Sequence, residues 1–331
     1  MNIQIWNPDD VEIVTSFVET LTLVFPQSNH TVENFLWKHQ QNPLGPSIVT
    51  YARSDNDEIA AIRAFWRCPL NYQGEEIIAY QPCDTATHID YRRQGLFEST
   101  THYALKIARE KKCQLVFNFP VPASKLGCLK LGWRDIGGLL ALVKPVNKLN
   151  VIYFLIKNRK LSNHRFVQSE KSLNSNELNL DLLGDVLKTQ GLFGNAVIHS
   201  DSVINLDYLK WRFLKNPRWH YIFKNYKGIL IIAKLGQRKS LKELAIIGVY
   251  TSSNQNLKKN IKCMLDDFIQ QYEVDFLSYY IHKDHPLANI FLQLSFFRFP
   301  TRANLVALPL DSQIPLNDMK WAIQAGDMDT F

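Results

Sequence analysis

A short tryptophan segment occurs twice in this chain, and that recurrence restricts the possible folds more than any other feature. Trp37-Lys-His-Gln-Gln-Asn-Pro43 is echoed by Trp211-Arg-Phe-Leu-Lys-Asn-Pro217. Both follow an aromatic–leucine pair, Phe35-Leu36 and Tyr208-Leu209, and both lead into strand-like sequence, Ile48–Tyr51 and His220–Phe223. A second marker keeps the same order: Leu129-Lys-Leu-Gly-Trp133 corresponds to Leu292-Gln-Leu-Ser-Phe296, and apolar strands follow at Leu139–Val143 and Asn304–Leu310. Two markers in one order argue for a duplicated unit. At 331 residues the chain also exceeds what one hydrophobic core ordinarily supports. Two tandem domains are expected, 1–150 and 175–331, joined by a linker at 151–174 in polar, turn-rich sequence.

Periodicity fills in the units. The first half reads helix 9–24, helix 31–41, strands 47–53, 58–66 and 75–88, helix 95–111, strand 114–119, helix 123–131 and strand 137–144. Asp55–Glu58 and Asn71–Gly74 mark hairpin turns. The second half repeats the order with strands near 219–224, 228–235 and 243–251, helix 256–271, strand 274–281, helix 285–294 and a last strand. Consecutive strands followed by strand–helix alternation imply an α/β fold (α+β, mixed sheet), each domain a mostly antiparallel sheet flanked by helices.

The net charge of +7 comes from 38 basic residues scattered along the chain, without nucleic-acid-binding motifs. A phosphate-bearing ligand accounts for the excess as well as a solvated surface does, and nucleic acid is not expected as a partner. Five cysteines, Cys68, Cys83, Cys113, Cys128 and Cys263, lack metal-ligand spacing and are expected to be reduced and buried, with no metal. No apolar run reaches the roughly 18–20 residues of a membrane span, so the cytoplasm is the expected location. Val151–Ile156, flanked by Lys148 and Lys157, reads as a buried helix or strand, or else as a basic segment touching a membrane surface.

One junction stands apart. Strand Ile77–Thr87 delivers the chain to Arg92-Arg-Gln-Gly-Leu-Phe97, and the following helix carries an apolar stripe at Leu96, Phe97, Tyr103, Ala104, Ile107 and Ala108. Lys106, Arg109, Lys111 and Lys112 complement the negative pole of that helix. Its positive pole falls at Gly95, where a missing side chain and free amides make an anion site that Arg92 and Arg93 reinforce.

The segment resembles the acyl-CoA signature of the GNAT acetyltransferase family, R/Q-x-x-G-x-G/A between a strand and a helix. Arg92-Arg-Gln-Gly95 fits four positions, while Phe97 stands where the family has Gly or Ala. Thr87 to Gly95 and the Leu-Gly-Trp segment at residues 131–133 are similar to flanking family segments. The resemblance covers about residues 1–145 and implies an acetyl-CoA-dependent N-acyltransferase. It implies CoA pyrophosphate on the Arg92, Arg93, Gln94, Gly95, Leu96 and Phe97 turn, with pantetheine along Asp84, Thr85, Ala86 and Thr87. Asn118 would hydrogen-bond CoA or substrate, or else a neighbouring loop. The second half has Thr251-Ser-Ser-Asn-Gln-Asn256 at the equivalent junction, without this pattern.

Amine acylation needs a proton acceptor, a stabilised oxyanion and a proton for the thiolate. Asp84 and His88 are the candidate bases; Asp84 would otherwise cap a turn, and His88 would otherwise be structural. The family's acidic tyrosine on the next helix is missing, leaving Ser124 as a hydrogen-bond donor or a helix cap. Cys83 and Cys128 lie near the site without a histidine partner in sequence. The C-terminal acids Asp327 and Asp329 belong to a frayed tail, unless the tail folds between the halves to meet an amine. The expected acceptor is a small amine such as an amino sugar or amino acid derivative. A tRNA-dependent aminoacyl transferase of the peptidoglycan-bridge type and a non-catalytic CoA-binding module are the alternatives.

Overall fold

The segment around Trp37 shows how local sequence sets the elements. Thr31 is extended and its hydroxyl accepts the Asn34 amide hydrogen at 3.1 Å, which starts a helix at Val32. The helix buries Phe35, Trp37 and His39 and ends ahead of Asn42-Pro43, where the Asn42 side chain accepts the Leu44 amide. Asn216 does the same in the second copy, accepting the Arg218 amide at 2.9 Å. Asparagine in the repeated motif therefore builds an Asx turn twice.

The computed structural model describes residues 1–158, 166–168, 197–199, 205–252, 255–299, 301, 303–316 and 319–328. In chain order the elements are β1 (Asn2–Ile5), α1 (Val14–Val24), α2 (Val32–His39), β2 (Ile48–Arg53), β3 (Ile59–Tyr72), β4 (Glu75–Thr87), α3 (Leu96–Glu110), β5 (Leu115–Asn118), α4 (Pro122–Lys130), β6 (Arg134–Pro145) and α5 (Lys148–Asn158). There follow β7 (Val167–Gln168), β8 (Val197–His199), α6 (Leu206–Leu209) running into a π turn over Lys210–Leu214, β9 (Ile222–Tyr226), β10 (Ile229–Arg238) and β11 (Leu241–Thr251). The last are α7 (Leu257–Tyr272), β12 (Phe276–His282), α8 (Leu287–Gln293), β13 (Phe297–Phe299), β14 (Asn304–Pro309) and β15 (Lys320–Ala322). The elements read from periodicity recur in type and order, while β1, β13 and β15 are additional. The first helix starts at Val14 rather than 9, and β3 runs on to Tyr72 because it pairs with β4 up to the Gln73-Gly74 turn. Most of the expected linker, at 159–165 and 169–174, lies outside the described residues.

The strands join in the order β1-β2-β3-β4-β5-β14-β6-β12-β11-β10-β7. Most neighbours are antiparallel; β4–β5 and β11–β12 are parallel. One long strand links the halves: the first part of β6 pairs with β14, while residues 139–145 pair with β12 and residues 141–143 pair with β13. β14, late in the chain, inserts between β5 and β6. Cores lie on both faces. One includes Phe17 of α1, Trp66 of β3, Trp211 and Trp321, and another packs α7 on β10–β12. α3 covers Phe65, Tyr80 and Val116.

Cys263 is exposed rather than buried, and two further expectations change. The C-terminal residues 321–325 are fully buried rather than frayed: the Gln324 side chain accepts the Val249 amide and the Tyr279 hydroxyl, and Gln81 donates to the Asp327 carbonyl. α5 is a helix that buries Val151 and Phe154 but leaves Leu149, Ile152, Tyr153 and Ile156 exposed. No described helix is long and apolar enough to cross a membrane.

Candidate active site

The site begins with a defect in the sheet. Ile62 stands opposite Ala86 and Ala64 opposite Cys83, so Asp84 and Thr85 together face Arg63. This β-bulge puts Asp84 in the left-handed region, φ 38. β4 pairs with β5 only through Ala79 and Tyr80, although it stays paired with β3 as far as Thr87. A seam therefore opens between β4 and β5 from Gln81 onward, where residues 81–87 no longer pair with β5.

The seam leads to the start of α3. Arg93 (φ 63) and Gly95 (φ 73) are both left-handed, so the turn curls back before the helix begins. No side chain caps the helix, and the first amide to close a helical turn is that of Ser99, on the Gly95 carbonyl at 3.0 Å. The amides of Leu96, Phe97 and Glu98 are left at the positive pole. A Cβ built on Gly95 would meet nothing within 4 Å, so the backbone is open to a ligand. Arg92 and Arg93 are exposed beside it, and Arg92 Nε lies 3.5 Å from the Thr87 carbonyl.

Arg63 joins these two features. It is 2% exposed, its Nη1 donates to Thr85 Oγ1 at 2.7 Å, and its guanidinium stacks 4.8 Å from the Phe97 ring and 5.5 Å from Phe65. Among the described residues its Nε and Nη2 have no partner with hydrogen-bond geometry. The charge sits beside the Cys83 thiol and against the Cys128 thiol, and no described carboxylate faces it there. Phe97, the departure from the family pattern, fits because α4 has Gly127 opposite: a Cβ on Gly127 would stand 2.9 Å from the Phe97 ring.

On the other face Asp84 is held by α2. Lys38 Nζ and His39 Nε2 contact the same carboxylate oxygen at 2.9 and 2.8 Å, and His39 Nδ1 accepts from Ser47 Oγ at 2.9 Å. The ionised carboxylate only accepts, which fixes the proton of His39 on Nε2. Burial opposes ionisation of Asp84, but Lys38 and His39 outweigh it and hold the carboxyl well below its ordinary value of 3.8. Asp84 is therefore a poor proton acceptor at neutral pH. Ligand atoms of His39, Cys83 and Asp84 lie within 4.8 Å of one another, yet a metal ion there would have to displace Lys38.

Above Asp84 is a cavity of about 40 Å³ between α1–α2 and the second half. Its wall includes His30, Asn34, Lys38, Asp84, Arg218 and Trp219. Burial lowers the His30 pKa, Arg218 and Lys38 lower it further, and Asp84 opposes them. The imidazole is thus neutral at neutral pH.

The residues expected from sequence divide between these places. Thr85, Ala86, Thr87 and residues 92–97 border the seam and the helix start. Asn118 ends β5, its Oδ1 accepting the Phe119 amide at 2.8 Å and its side chain beside the Cys128 thiol. His88 is used elsewhere: it caps the 3-10 turn Ile89–Tyr91, accepting the Asp90 amide at 3.3 Å and packing on Tyr91. Ser124 donates to the Val121 carbonyl at 3.2 Å in the first turn of α4. Burial pushes the Cys128 thiol up, which keeps it protonated and unsuited to attack. The Asp327 carboxylate accepts the Gln324 amide at 2.8 Å as a cap, and Asp329 lies outside the described residues. Sequence reasoning missed Arg63, His39, His30 and Arg218. Only Arg63 carries a local signal, a cation inside the apolar run Ile59–Trp66.

Residues 10–134 match the family described as acetyltransferase (GNAT) domain. Among solved structures the chain is similar to a GCN5-related N-acetyltransferase from Anabaena variabilis, with TM-score 0.61 and 13% identity over 92% of this chain and 72% of that one. It is similar to Saccharomyces cerevisiae N-myristoyltransferase with bound myristoyl-CoA, with TM-score 0.57 and 11% identity over 93% and 78%. Eis1 from Mycobacterium abscessus gives TM-score 0.58 and 7% identity over 94% and 74%. At these identities the likeness is one of fold. No curated protein matches the chain in sequence.

Proposed function

We propose that the chain, whose residues 10–134 match the acetyltransferase (GNAT) domain family, is an acyltransferase that uses acetyl-CoA to acetylate the nitrogen of a small amine, an amino sugar or amino acid derivative. One observation carries the reading: the open edge of β4 and the uncapped start of α3 border the same seam, bridged by Arg63. The amides of residues 96–98, with Gly95, Arg92, Arg93 and Gln94, hold the pyrophosphate at the helix pole. The free edge of Thr85–Thr87 takes pantetheine as an added strand, and Asn118 lines the opposite side. When bound, the donor supplies an activated thioester.

The bulge at Asp84 turns the end of the seam toward the cavity, so an amine held there meets the thioester carbonyl directly. Asp84 fixes Lys38 in the cavity wall and ties it to His39 behind, which makes it a positioning residue rather than a base. Residues 212–219 supply the far wall, which gives the second half a role without CoA. We read the halves as tandem copies of one domain. At the helix start matching Gly95, Asn256 is left-handed (φ 52), but the Arg-x-x-Gly pattern is absent.

The test is a thermal shift with acetyl-CoA, followed by free-thiol release with a panel of amines. A shift and amine-dependent thiol release are expected. No shift with any acyl-CoA overturns the reading; a shift with no turnover of any amine favours a binding module.

A further inference from the structure

We propose that the acceptor is an amino acid, whose carboxylate is anchored by Arg218 and whose amine gives up its proton to His30. The inference rests on the acyltransferase reading and concerns the acceptor alone.

The charges in the cavity wall leave one place for an anion. Lys38 and Asp84 satisfy each other at 2.9 Å. Arg212 is 1% exposed and its Nη2 donates to the Met328 carbonyl at 2.7 Å. Arg218 differs: its backbone amide bonds Asn216, its half-buried guanidinium stacks 5.1 Å from the Trp219 ring, and no described carboxylate pairs with it. A half-buried guanidinium flattened on an aromatic face is pre-organised to grip a carboxylate in two-pronged fashion.

Opposite lie two buried polar atoms without partners among the described residues, His30 Nε2 and Asn34 Oδ1. Both residues line the cavity. An amine has hydrogens for both, and the neutral imidazole has a lone pair for one proton. In the reaction nitrogen forms the C–N bond and the C–S bond breaks with its electron pair on sulfur. The proton shed by nitrogen passes to His30 Nε2, and then through solvent to the thiolate. The groups facing His30 are Asp84 across the cavity, Lys38 on α2 and Arg218 from the second half. Neutralising Arg218 with a substrate carboxylate removes one cation that holds the imidazole pKa down, so the binding of the acceptor itself makes the base stronger. A small cavity suits one amino acid head group.

The experiment compares matched pairs, phenylalanine with phenethylamine and leucine with isoamylamine, by free-thiol release at saturating acetyl-CoA, with calorimetric titration of each amine. Amino acids should exceed their decarboxylated partners in kcat/KM by about tenfold or more, the range of a charge-assisted hydrogen bond. Arg218→Met should bring that ratio toward one, chiefly through KM. His30→Gln should lower kcat with KM little changed and remove the acidic limb of the pH profile. Circular dichroism and the acetyl-CoA thermal shift certify that each variant is folded. Equal or better turnover of the decarboxylated amines, or an undiminished ratio in Arg218→Met, overturns the inference and leaves the donor reading standing. Acyl-CoA binding with no turnover of any amino acid does the same, whereas absence of acyl-CoA binding defeats the acyltransferase reading itself.

Discussion

Trp37 and Trp211 donate their indole N–H groups to each other's backbone carbonyls, at 3.0 and 2.9 Å, with their rings stacked 5.0 Å apart at 23°. The repeated motif thus meets its own copy across a local two-fold relationship, and both tryptophans are buried. Replacing Trp211 by Phe keeps much of the ring contact and leaves the Trp37 carbonyl unpaired, at a cost of about 1–2 kcal/mol. Trp211→Ala also opens a cavity, at about 3–5 kcal/mol. Urea unfolding should show this order, with Trp37 variants behaving alike.

Gly95→Ala separates the cost to the fold from the cost to the ligand. The left-handed conformation costs a side chain about 1–2 kcal/mol, and no protein atom within 4 Å crowds the new Cβ. Gly132, also left-handed (φ 83) with nothing within 4 Å, provides the matched control. Both variants should lose similar stability, but only Gly95→Ala should weaken the acetyl-CoA thermal shift; Gly95→Val should abolish it.

Arg63→Met should move stability and binding in opposite directions. A buried guanidinium with two unpartnered nitrogens burdens the empty fold. Replacement by an apolar chain should stabilise the free protein by about 1 kcal/mol, in the range seen when buried charges are replaced by apolar side chains. The acetyl-CoA shift should shrink in the same variant. A destabilised variant with an unchanged shift would make Arg63 purely structural.

Asp84→Asn leaves Lys38 without its counter-charge. Because the folded carboxyl titrates below its ordinary value, its stabilising contribution is present above about pH 3.8 and is lost as pH falls through the folded pKa. The variant should be less stable than the parent by about 3 kcal/mol at neutral pH. The gap should narrow as pH drops below that range, as read from unfolding curves in urea.

Lys234 predicts a slope of the same sign at higher pH. It is 3% exposed, lies 4.0 Å from the Trp219 ring, and is lowered to about 7, first by burial and then by Arg212. Between about pH 7 and its unfolded value near 10.4 the unfolded chain binds one more proton, so stability rises with pH by up to about 1.4 kcal/mol per unit. Cys113, pushed up to about 12 by burial, acts in the reverse sense once unfolded thiols ionise above about pH 8.5. Unfolding free energies at pH 7.0 and 8.5 should therefore rise in the parent, and this rise should be smaller in Lys234→Met.

The sequence by itself determined most of the elements, the repeated tryptophan motif and the glycine turn ahead of α3. Apolar periodicity, Asn-Pro stops and Gly95 ahead of an amphipathic helix act within a few residues of one another, so they are legible along the chain. The bulge at Asp84, the insertion of β14 between β5 and β6, and the pairing of Lys38 and His39 with a carboxylate some 45 positions away were decided only by tertiary structure. The same holds for His30 and Arg218, from opposite halves, and for Arg63 beneath Phe97. Their proximity comes from the packing of helices and of both halves on one continuous sheet, and contact between distant residues leaves no local periodicity to read. Even Phe97, a misfit in its own motif, is explained only by Gly127 and Arg63, which folding brings to its two sides.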